Sequence, residues 1–415
     1  MKKLCFIISL LLIIVSAQAQ YVPNQTSLKQ LLDDSKKYDK NIMLFMHFKG
    51  CSACVKMEKE IINEKEVSEF LSENFIYYPV DVREGTGIEI NKIFNMNALP
   101  TIIILDSASN IIGKTSGKID NKSDFLDFCV NSIGDTTSLY AQKQRYDNGY
   151  RNKDFLFKYC TDLYYADMPD SSVYNAYLSM LSKDEYTLKR NIDLIYNNSI
   201  VRLKVYLPYN SPFINFMSDN KELFYQYFDT IQVNSRITYL NVHAIKHSLK
   251  KGDYEIAKNK LSVLNQYKTS DFFRINDANF ASNSAFFYSP TQHQIYEIIY
   301  YCCTDNHDEY NKSVKKFISE NNNNPDNLHF LVSFFKYYIN DPNKLVDAEK
   351  WIERSIELDD SYRNNNTYAW LLFKEKKYKE AMNYIVKAVN IATKNNEDFS
   401  DSEKLVSEIR KIENK

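Results

Sequence analysis

Glycine is scarce in this chain, and its distribution divides the sequence into two parts. The 415 residues include eight glycines, of which seven lie between Gly50 and Gly149 and one, Gly252, lies beyond them. Glycine allows the tight turns and bulges that sheets require more often than packed helices do. The distribution therefore predicts a sheet in the N-terminal part and a helical remainder, with the change near residues 132–138.

An excess of charge of either sign is also absent. The chain has 52 Lys and Arg residues against 53 Asp and Glu residues, so its formal net charge is −1, and no dense basic patch is visible. Proteins that bind nucleic acid use concentrated positive charge to neutralise phosphates. We therefore expect no nucleic-acid partner.

Long apolar runs are absent as well, apart from one at the N-terminus. Lys2 and Lys3 precede the predominantly apolar residues 4–15, and residues 17–19 read Ala-Gln-Ala. This order is typical of a secretory signal peptide, and the run is too short to span a bilayer. We expect a signal peptide at residues 1–19, no membrane span in the mature chain, and a periplasmic location in which disulfides persist.

Cysteine is too sparse for a disulfide-dense scaffold. Six cysteines follow the predicted cleavage site: Cys51, Cys54, Cys129, Cys160, Cys302 and Cys303. Only the first two have a spacing with a chemical meaning, since two intervening residues permit a disulfide that can close and open. The other four lie among apolar and aromatic residues, which is typical of packing, and the sequence does not pair them.

The pair at Cys51 and Cys54 lies between an apolar strand-like run, residues 42–46, and a segment with helical spacing. The positive end of a helix favours a thiolate over a thiol, and the thiolate is the form that attacks disulfides. The pair is therefore interpreted as redox-active. The alternatives are a fixed structural disulfide and a zinc site, although zinc needs a second pair of ligands that the sequence does not show.

The first part of the chain alternates between strand-like and helical segments. Strand-like segments, rich in apolar and β-branched residues, cover residues 42–48, 75–82, 101–105 and 111–115. Segments with helical apolar spacing cover residues 28–37, 51–62, 67–74, 88–94 and 123–133. This order predicts an α/β domain with parallel crossover units and an antiparallel edge.

Residues 27–133 resemble a thioredoxin-fold domain of the exported thioredoxin-like branch. Three features occur in the expected order: the strand, Cys51-Ser52-Ala53-Cys54 and helix; the helical segment that leads to Val80-Asp81; and Leu99-Pro100-Thr101 followed by Gly117. We therefore assign residues 20–135 to a thioredoxin-like domain.

The resemblance implies a role for each matching residue. It makes Cys51 the nucleophile that forms a mixed disulfide with a substrate, and Cys54 the thiol that resolves it. It also implies a cis peptide bond at Pro100, with Leu99, Pro100 and Thr101 in contact with the substrate. The alternative is a trans proline that opens a strand. No cofactor and no metal are expected.

One departure from the resemblance concerns proton transfer. Many relatives have a buried acid six residues before the first cysteine, and Phe45 occupies that position here. His47 lies two residues further on, so it points to the same face of a strand. It is a candidate proton acceptor. The alternative is a hydrogen-bonded histidine without a role in proton transfer.

Residues 140–415 are predicted to form an all-α domain of helical repeats. Ala348 and Ala381 are 33 residues apart, close to the tetratricopeptide period of about 34 residues. Residues 330–395 resemble tetratricopeptide repeats well, and residues 238–266 do so less closely. Stacked helix pairs present a concave surface that usually binds proteins or peptides. The alternative is a stack that is only a structural body.

His243 and His247 lie four residues apart in a predicted helix. This spacing suits a metal, but the intervening residues lack the glutamate of a metalloprotease motif. A surface or packing pair is the preferred interpretation.

The sequence as a whole predicts an exported thiol–disulfide oxidoreductase. Its expected partners are disulfide-containing exported proteins and a thiol donor or acceptor of the cell envelope, and the helical repeats would position them. The alternative is a non-catalytic scaffold in which the repeats bind proteins and the thioredoxin fold is a platform. The intact Cys51–Cys54 pair with Pro100 favours the first hypothesis, since a platform needs neither thiol.

Overall fold

The computed structural model describes residues 26–94, 96, 98–201, 204–267, 273–275, 284–286 and 288–413. The predicted signal peptide at residues 1–19 lies outside them. The described chain divides into two compact units, one within Met1–Tyr206 and the other within Leu207–Asn276 and Asn283–Lys415. The first unit thus extends beyond residue 135, the predicted end of the sheet domain, into the helices that follow it.

The first unit begins with the predicted alternation of helices and strands. Its elements are α1 (Leu28–Tyr38), β1 (Asn41–His47), α2 (Ser52–Met57), α3 (Lys65–Asn74), β2 (Phe75–Asp81), α4 (Thr86–Phe94), β3 (Thr101–Leu105), β4 (Ile111–Ser116) and α5 (Lys122–Ile133). A π-helical turn, Glu58–Ile62, continues α2. The predicted α/β class is confirmed, and the bounds agree with the apolar patterns to within two residues.

The four strands form one sheet in the order β2-β1-β3-β4. Strands β1 and β2 are parallel, whereas β3 is antiparallel to both β1 and β4. The sheet therefore contains one parallel pair, where the sequence predicted several parallel crossover units. The reason is the path of the chain after β2. The first residue of β3, Thr101, lies opposite Met46 near the end of β1, so β3 starts at the edge where β1 ends and runs in the opposite direction.

Apolar cores cover both faces of the sheet. On one face, Met43 and Phe45 pack with α2, α3 and α5, and on the other, Leu44 packs with α1 and α4. Complete burial explains why β1 and β3 are continuous apolar runs. Each fully buried Leu or Ile contributes about 1.5–3 kcal/mol relative to an exposed one. This double-sided core holds the ends of the strands in fixed positions.

Four helices and one short hairpin complete the first unit. They are α6 (Leu139–Asp147), α7 (Lys153–Tyr165), α8 (Ser171–Leu178), α9 (Lys189–Ser199), β5 (Ile200–Val201) and β6 (Lys204–Val205). The side chains of Ser138, Asn152 and Asp170 cap the first three of these helices by accepting backbone N–H groups. Polar caps at these positions explain where the helices begin.

The second unit is almost entirely helical among its described residues. Its elements are α10 (Pro212–Asp219), α11 (Lys221–Tyr225), α12 (Thr230–Lys251), α13 (Tyr254–Leu264), β7 (Phe273–Ile275), β8 (Ser284–Phe286), α14 (Pro290–Cys303), α15 (His307–Asn321), α16 (Pro325–Tyr338), α17 (Val346–Leu358), α18 (Tyr362–Lys374), α19 (Tyr378–Asn395) and α20 (Ser400–Glu413). In the part of the chain that the structure describes, no helix is both long enough and apolar enough to cross a membrane.

Small residues lie where the last helices pack. Ala348, Ala369 and Ala381 are fully buried in α17, α18 and α19, and small side chains permit close helix crossings. The predicted all-α character of this region is confirmed. The assignment of these pairs to tetratricopeptide repeats stays a prediction.

Candidate active site

Three segments of the chain meet at one edge of the sheet. His47 ends β1 opposite Asp81 at the end of β2, and Met46 lies opposite Thr101 at the start of β3. The register of β1 and β3, continued by one residue, brings Pro100 opposite His47. The Cys51–Cys54 pair follows β1 at this edge. The sheet therefore brings together the pair, Asp81 and the segment before β3, which are distant in sequence.

The turn after β1 presents Cys51 at the beginning of α2. Gly50 has φ +98°, a left-handed conformation that residues with a Cβ rarely adopt. Cys51 is then the N-cap residue: its carbonyl accepts the N–H of Val55 at 3.0 Å, and its Sγ accepts the N–H of Cys54 at 3.2 Å. The Cys51 sulfur thus lies against unsatisfied donors at a helix N-terminus, where a negative charge is stabilised.

Cys51 and Cys54 form a disulfide with an S–S distance of 2.00 Å and a Cα–Cα distance of 5.3 Å. Cys51 is 7% exposed and Cys54 is 2% exposed. The first cysteine is therefore the more accessible of the two, while the second is enclosed one helical turn further on. The assignment of nucleophile and resolving thiol agrees with this difference, and both roles stay predictions.

Asp81 anchors the loop that leads to the pair, although its place in the sequence does not mark it as a site residue. Its buried carboxylate accepts the N–H of Lys49 at 3.0 Å and the N–H of Arg83 at 2.9 Å. The Arg83 guanidinium lies 3.6 Å from the centroid of the Phe48 ring, a favourable cation–π contact. The sequence feature that could have indicated Asp81 is its position as a carboxylate at the end of β2, the strand beside β1.

The segment before β3 lies beside the cysteine pair. The Leu99–Pro100 peptide bond is cis, the geometry that the resemblance implies. Leu99 packs in the same apolar cluster as both cysteines. Pro100 is buried, and its carbonyl accepts the N–H of Gly117 at 2.8 Å. Thr101 is fully buried, and its hydroxyl donates a hydrogen bond to the carbonyl oxygen of Ala98 at 2.7 Å.

Phe45 fills the position beneath the pair with an aromatic ring. It is 1% exposed, and its centroid lies 5.7 Å from that of His47 and 6.4 Å from that of Tyr77. The His47 ring is half-buried and stacked on Phe45 at 24°. His47 therefore lies near the site, as its strand position predicts, and its role in proton transfer stays a prediction.

The remaining cysteines are held as thiols. Cys129, Cys160 and Cys302 are buried and Cys303 is half-buried, and none of the four forms a disulfide. Burial raises the pKa of the first three to about 12 and that of Cys303 to about 11. They are therefore protonated at neutral pH and react slowly.

The histidine pair of the second unit has no further metal ligands around it among the described residues. The rings of His243 and His247 lie 4.2 Å apart, and Tyr209 stacks on His247. Within the described ranges, no group of three or more His, Cys, Asp and Glu residues is arranged to hold a metal ion. The position of Tyr209 agrees with the interpretation as a packing pair.

Comparisons with known proteins agree with this geometry. Residues 28–129 match a family model described as a thioredoxin-like domain. The solution structure of a thioredoxin from Thermus thermophilus is similar at 20% identity, over 26% of this chain and 89% of that chain, with a TM-score of 0.24. A structure described as DsbH Oxidoreductase is similar at 16% identity, over 26% of this chain and 83% of that chain, with a TM-score of 0.23.

No curated protein is similar to this chain. Both TM-scores lie below 0.5, so the family match and the sheet carry the assignment. Residues 28–129 form a thioredoxin-like domain with a disulfide-bonded Cys51–Cys54 pair, and a long helical region follows it.

Proposed function

We propose that this protein is an exported thiol–disulfide oxidoreductase that exchanges disulfides with protein substrates through Cys51 and Cys54. The observation that carries the proposal is the disulfide between these residues at the start of α2, with Cys51 the more exposed sulfur. A disulfide in this position can be reduced and re-formed without rearranging the core, because α2 and the sheet hold both ends. The four other cysteines take no part in the exchange.

The reaction has two steps. In the reduced protein, the Cys51 thiolate attacks a substrate disulfide, forms a mixed disulfide and releases one substrate thiolate. Cys54 then attacks Sγ of Cys51, the mixed disulfide breaks, and the second substrate thiolate leaves. The substrate disulfide gains two electrons, and the cysteine pair loses two. The reverse sequence oxidises a dithiol.

The substrate chain is proposed to lie along Leu99 and Pro100, whereas Thr101 is fully buried and offers it no surface. Leu99 is half-buried beside both cysteines, so it offers apolar surface next to the attacking sulfur. The helical region is proposed to position substrates or partners, because stacked helices offer extended binding surfaces. No metal or cofactor is required for the exchange.

A trapping experiment tests the proposal. Cys54→Ser removes the resolving thiol, so mixed disulfides with exported proteins should accumulate on Cys51 and disappear on reduction. They are detected as reducible adducts on non-reducing gels and identified by mass spectrometry. The matched control is the double variant Cys51→Ser/Cys54→Ser, which should form none. If the single variant traps no more protein than the double variant, the scaffold hypothesis is favoured.

Export is a separate prediction. Cleavage after Ala19 should give a mature protein that begins at Gln20 and is released with the periplasmic fraction, because residues 1–19 have the order of a signal peptide. N-terminal sequencing of the native protein measures this directly. A protein that retains Met1 and stays with the cytoplasmic fraction would contradict the prediction.

A further inference from the structure

The proposed exchange requires Cys54 to lose a proton in a buried place. Cys54 is 2% exposed, and burial favours the neutral thiol over the thiolate. Only the thiolate attacks a disulfide. A nearby group that accepts this proton therefore accelerates the second step, and the side chain of Phe45 beneath the pair cannot do so.

Glu58 lies one helical turn after Cys54. Its backbone N–H donates to the carbonyl oxygen of Cys54. Side chains four residues apart lie on the same face of a helix, with their Cβ atoms about 5–6 Å apart. Cys54 and Met57 turn that side of the helix towards the sheet, and Glu58 is half-buried. A carboxylate is thus placed on the Cys54 side of the helix, at the border of the core.

The backbone changes its form at Glu58. The π-helical turn Glu58–Ile62 begins there, and the N–H of Asn63 donates to the Glu58 carbonyl at 2.9 Å, five residues apart. Such turns insert one residue into a helix and are often found at functional sites. The insertion keeps Ile61 and Ile62 buried while Glu58 remains in register with Cys54.

Tyr77, in β2, packs against the same apolar cluster as Cys54 and Met57. Its ring contacts Phe45, and its buried hydroxyl has no hydrogen-bond partner among the described residues. Burial, and to a lesser extent the negative charge of Glu58, raises the pKa of Tyr77. The phenol is therefore neutral and keeps a proton to donate. A buried donor without a partner is destabilising, and a hydrogen bond to Glu58 in the reduced protein would remove this penalty.

Charged and titratable side chains from several elements lie around this helix. Tyr77 lies in β2, and His47 lies in β1 on the far side of Phe45. Lys56 and Glu60 belong to the same helix as Glu58, and Lys118 belongs to the loop after β4. Lys56 pairs with Glu60 at 3.9 Å, and Lys118 pairs with Asp120 at 2.6 Å. These pairs engage the nearby lysines and leave the Glu58 carboxylate able to act as a base.

We infer that the Glu58 carboxylate, with the Tyr77 hydroxyl as its donor in the reduced protein, accepts the thiol proton of Cys54 when Cys54 resolves the mixed disulfide on Cys51. The S–H bond of Cys54 breaks, a new S–S bond forms to Cys51, and the substrate leaves as a thiolate. The inference rests on the proposed function, and it assigns a base to the second step of that reaction alone.

The two steps can be observed separately with dithiobis(nitrobenzoate), an aromatic disulfide that releases one coloured thiolate in each step. The reduced protein is mixed with an equal concentration of reagent in a stopped-flow instrument across a pH series. All variants carry Cys303→Ser, because Cys303 is the free cysteine of the described chain that is not fully buried. Glu58→Gln should slow the second release roughly 100-fold and leave the first unchanged.

The pH profile separates a base from a structural residue. With Glu58 present, the second release should slow as pH falls and the carboxylate takes up a proton, and should level off above that range. In Glu58→Gln it should instead keep rising into alkaline pH with the ionisation of Cys54 itself. Glu58→Asp should restore part of the rate, and Tyr77→Phe should slow the second release by roughly tenfold because the carboxylate loses its donor. Glu73→Gln, which changes an exposed acid of α3, is the matched control.

Three outcomes would overturn the inference. One is an unchanged second release in Glu58→Gln, and another is equal slowing of both releases, which indicates a structural effect. The third is that the slowing of the second release at low pH disappears in His47→Phe and persists in Glu58→Gln. That result would make His47 the group that accepts the proton. Failure of the proposed function would give a different result. In that case the first release would be absent in the protein that carries Cys303→Ser alone.

Discussion

Cys51→Ser should reduce disulfide-exchange turnover to the uncatalysed rate. A serine hydroxyl does not attack disulfides, and Cys54 cannot replace Cys51 because it is 2% exposed and lies one turn inside the helix. The other thiols cannot do so either, since burial raises their pKa to about 11–12. The measurement is the rate of insulin reduction in the presence of a small dithiol.

The matched control for this prediction is Cys303→Ser, which also removes one thiol. Cys303 lies in α14 of the second unit, away from the pair in sequence and in a separate compact unit. Cys303→Ser should therefore retain the wild-type rate of insulin reduction. Equal turnover in Cys51→Ser and wild type would exclude the proposed enzyme.

Asp81→Ala should destabilise the thioredoxin-like domain and reduce its activity together. The buried carboxylate satisfies the N–H groups of Lys49 and Arg83, and losing two hydrogen bonds to a charged acceptor costs about 3–6 kcal/mol. The loop before Cys51 then loses its anchor, so turnover should fall roughly tenfold or more. Asp81→Asn can keep one acceptor and should have an intermediate effect.

The measurement of stability must report on the first unit. Both tryptophans, Trp351 and Trp370, lie in the second unit, so tryptophan fluorescence is not suitable. Native-state hydrogen exchange of the β1 amides and of Lys49 gives the free energy of unfolding of the sheet. Glu84→Ala, an exposed acid in the same turn, is the control. Wild-type exchange at Lys49 in Asp81→Ala would show that the carboxylate does not anchor the loop.

The strands and the cysteine pair could be predicted because their causes are local. Strands buried on both faces are apolar runs, and the two-residue spacing of Cys51 and Cys54 is visible in the sequence itself. The helical class of the later region followed from scarce glycine and helical apolar spacing. The family match at residues 28–129 and the sheet confirm these predictions.

The missed features depend on contacts between distant residues. Asp81 acts on Lys49 across 32 positions, and a lone aspartate at the end of a strand does not reveal its partners. The π-helical turn after Met57 has the apolar pattern of an ordinary helix, so the sequence predicts one continuous helix at residues 51–62. The direction of β3 depended on the path of α4, which a pattern of apolar residues does not specify.

The four thiols outside the Cys51–Cys54 pair also bear on how the protein would survive in the oxidising compartment that is predicted for it. Six cysteines follow the predicted cleavage site, and they have many ways to pair wrongly. In the folded protein, raised pKa values keep four of them protonated, so the oxidised pair has no internal thiolate to attack it. In the proposed function, the domain would cycle between its two redox states without scrambling its disulfides, and faulty pairing would be restricted to the time before folding is complete.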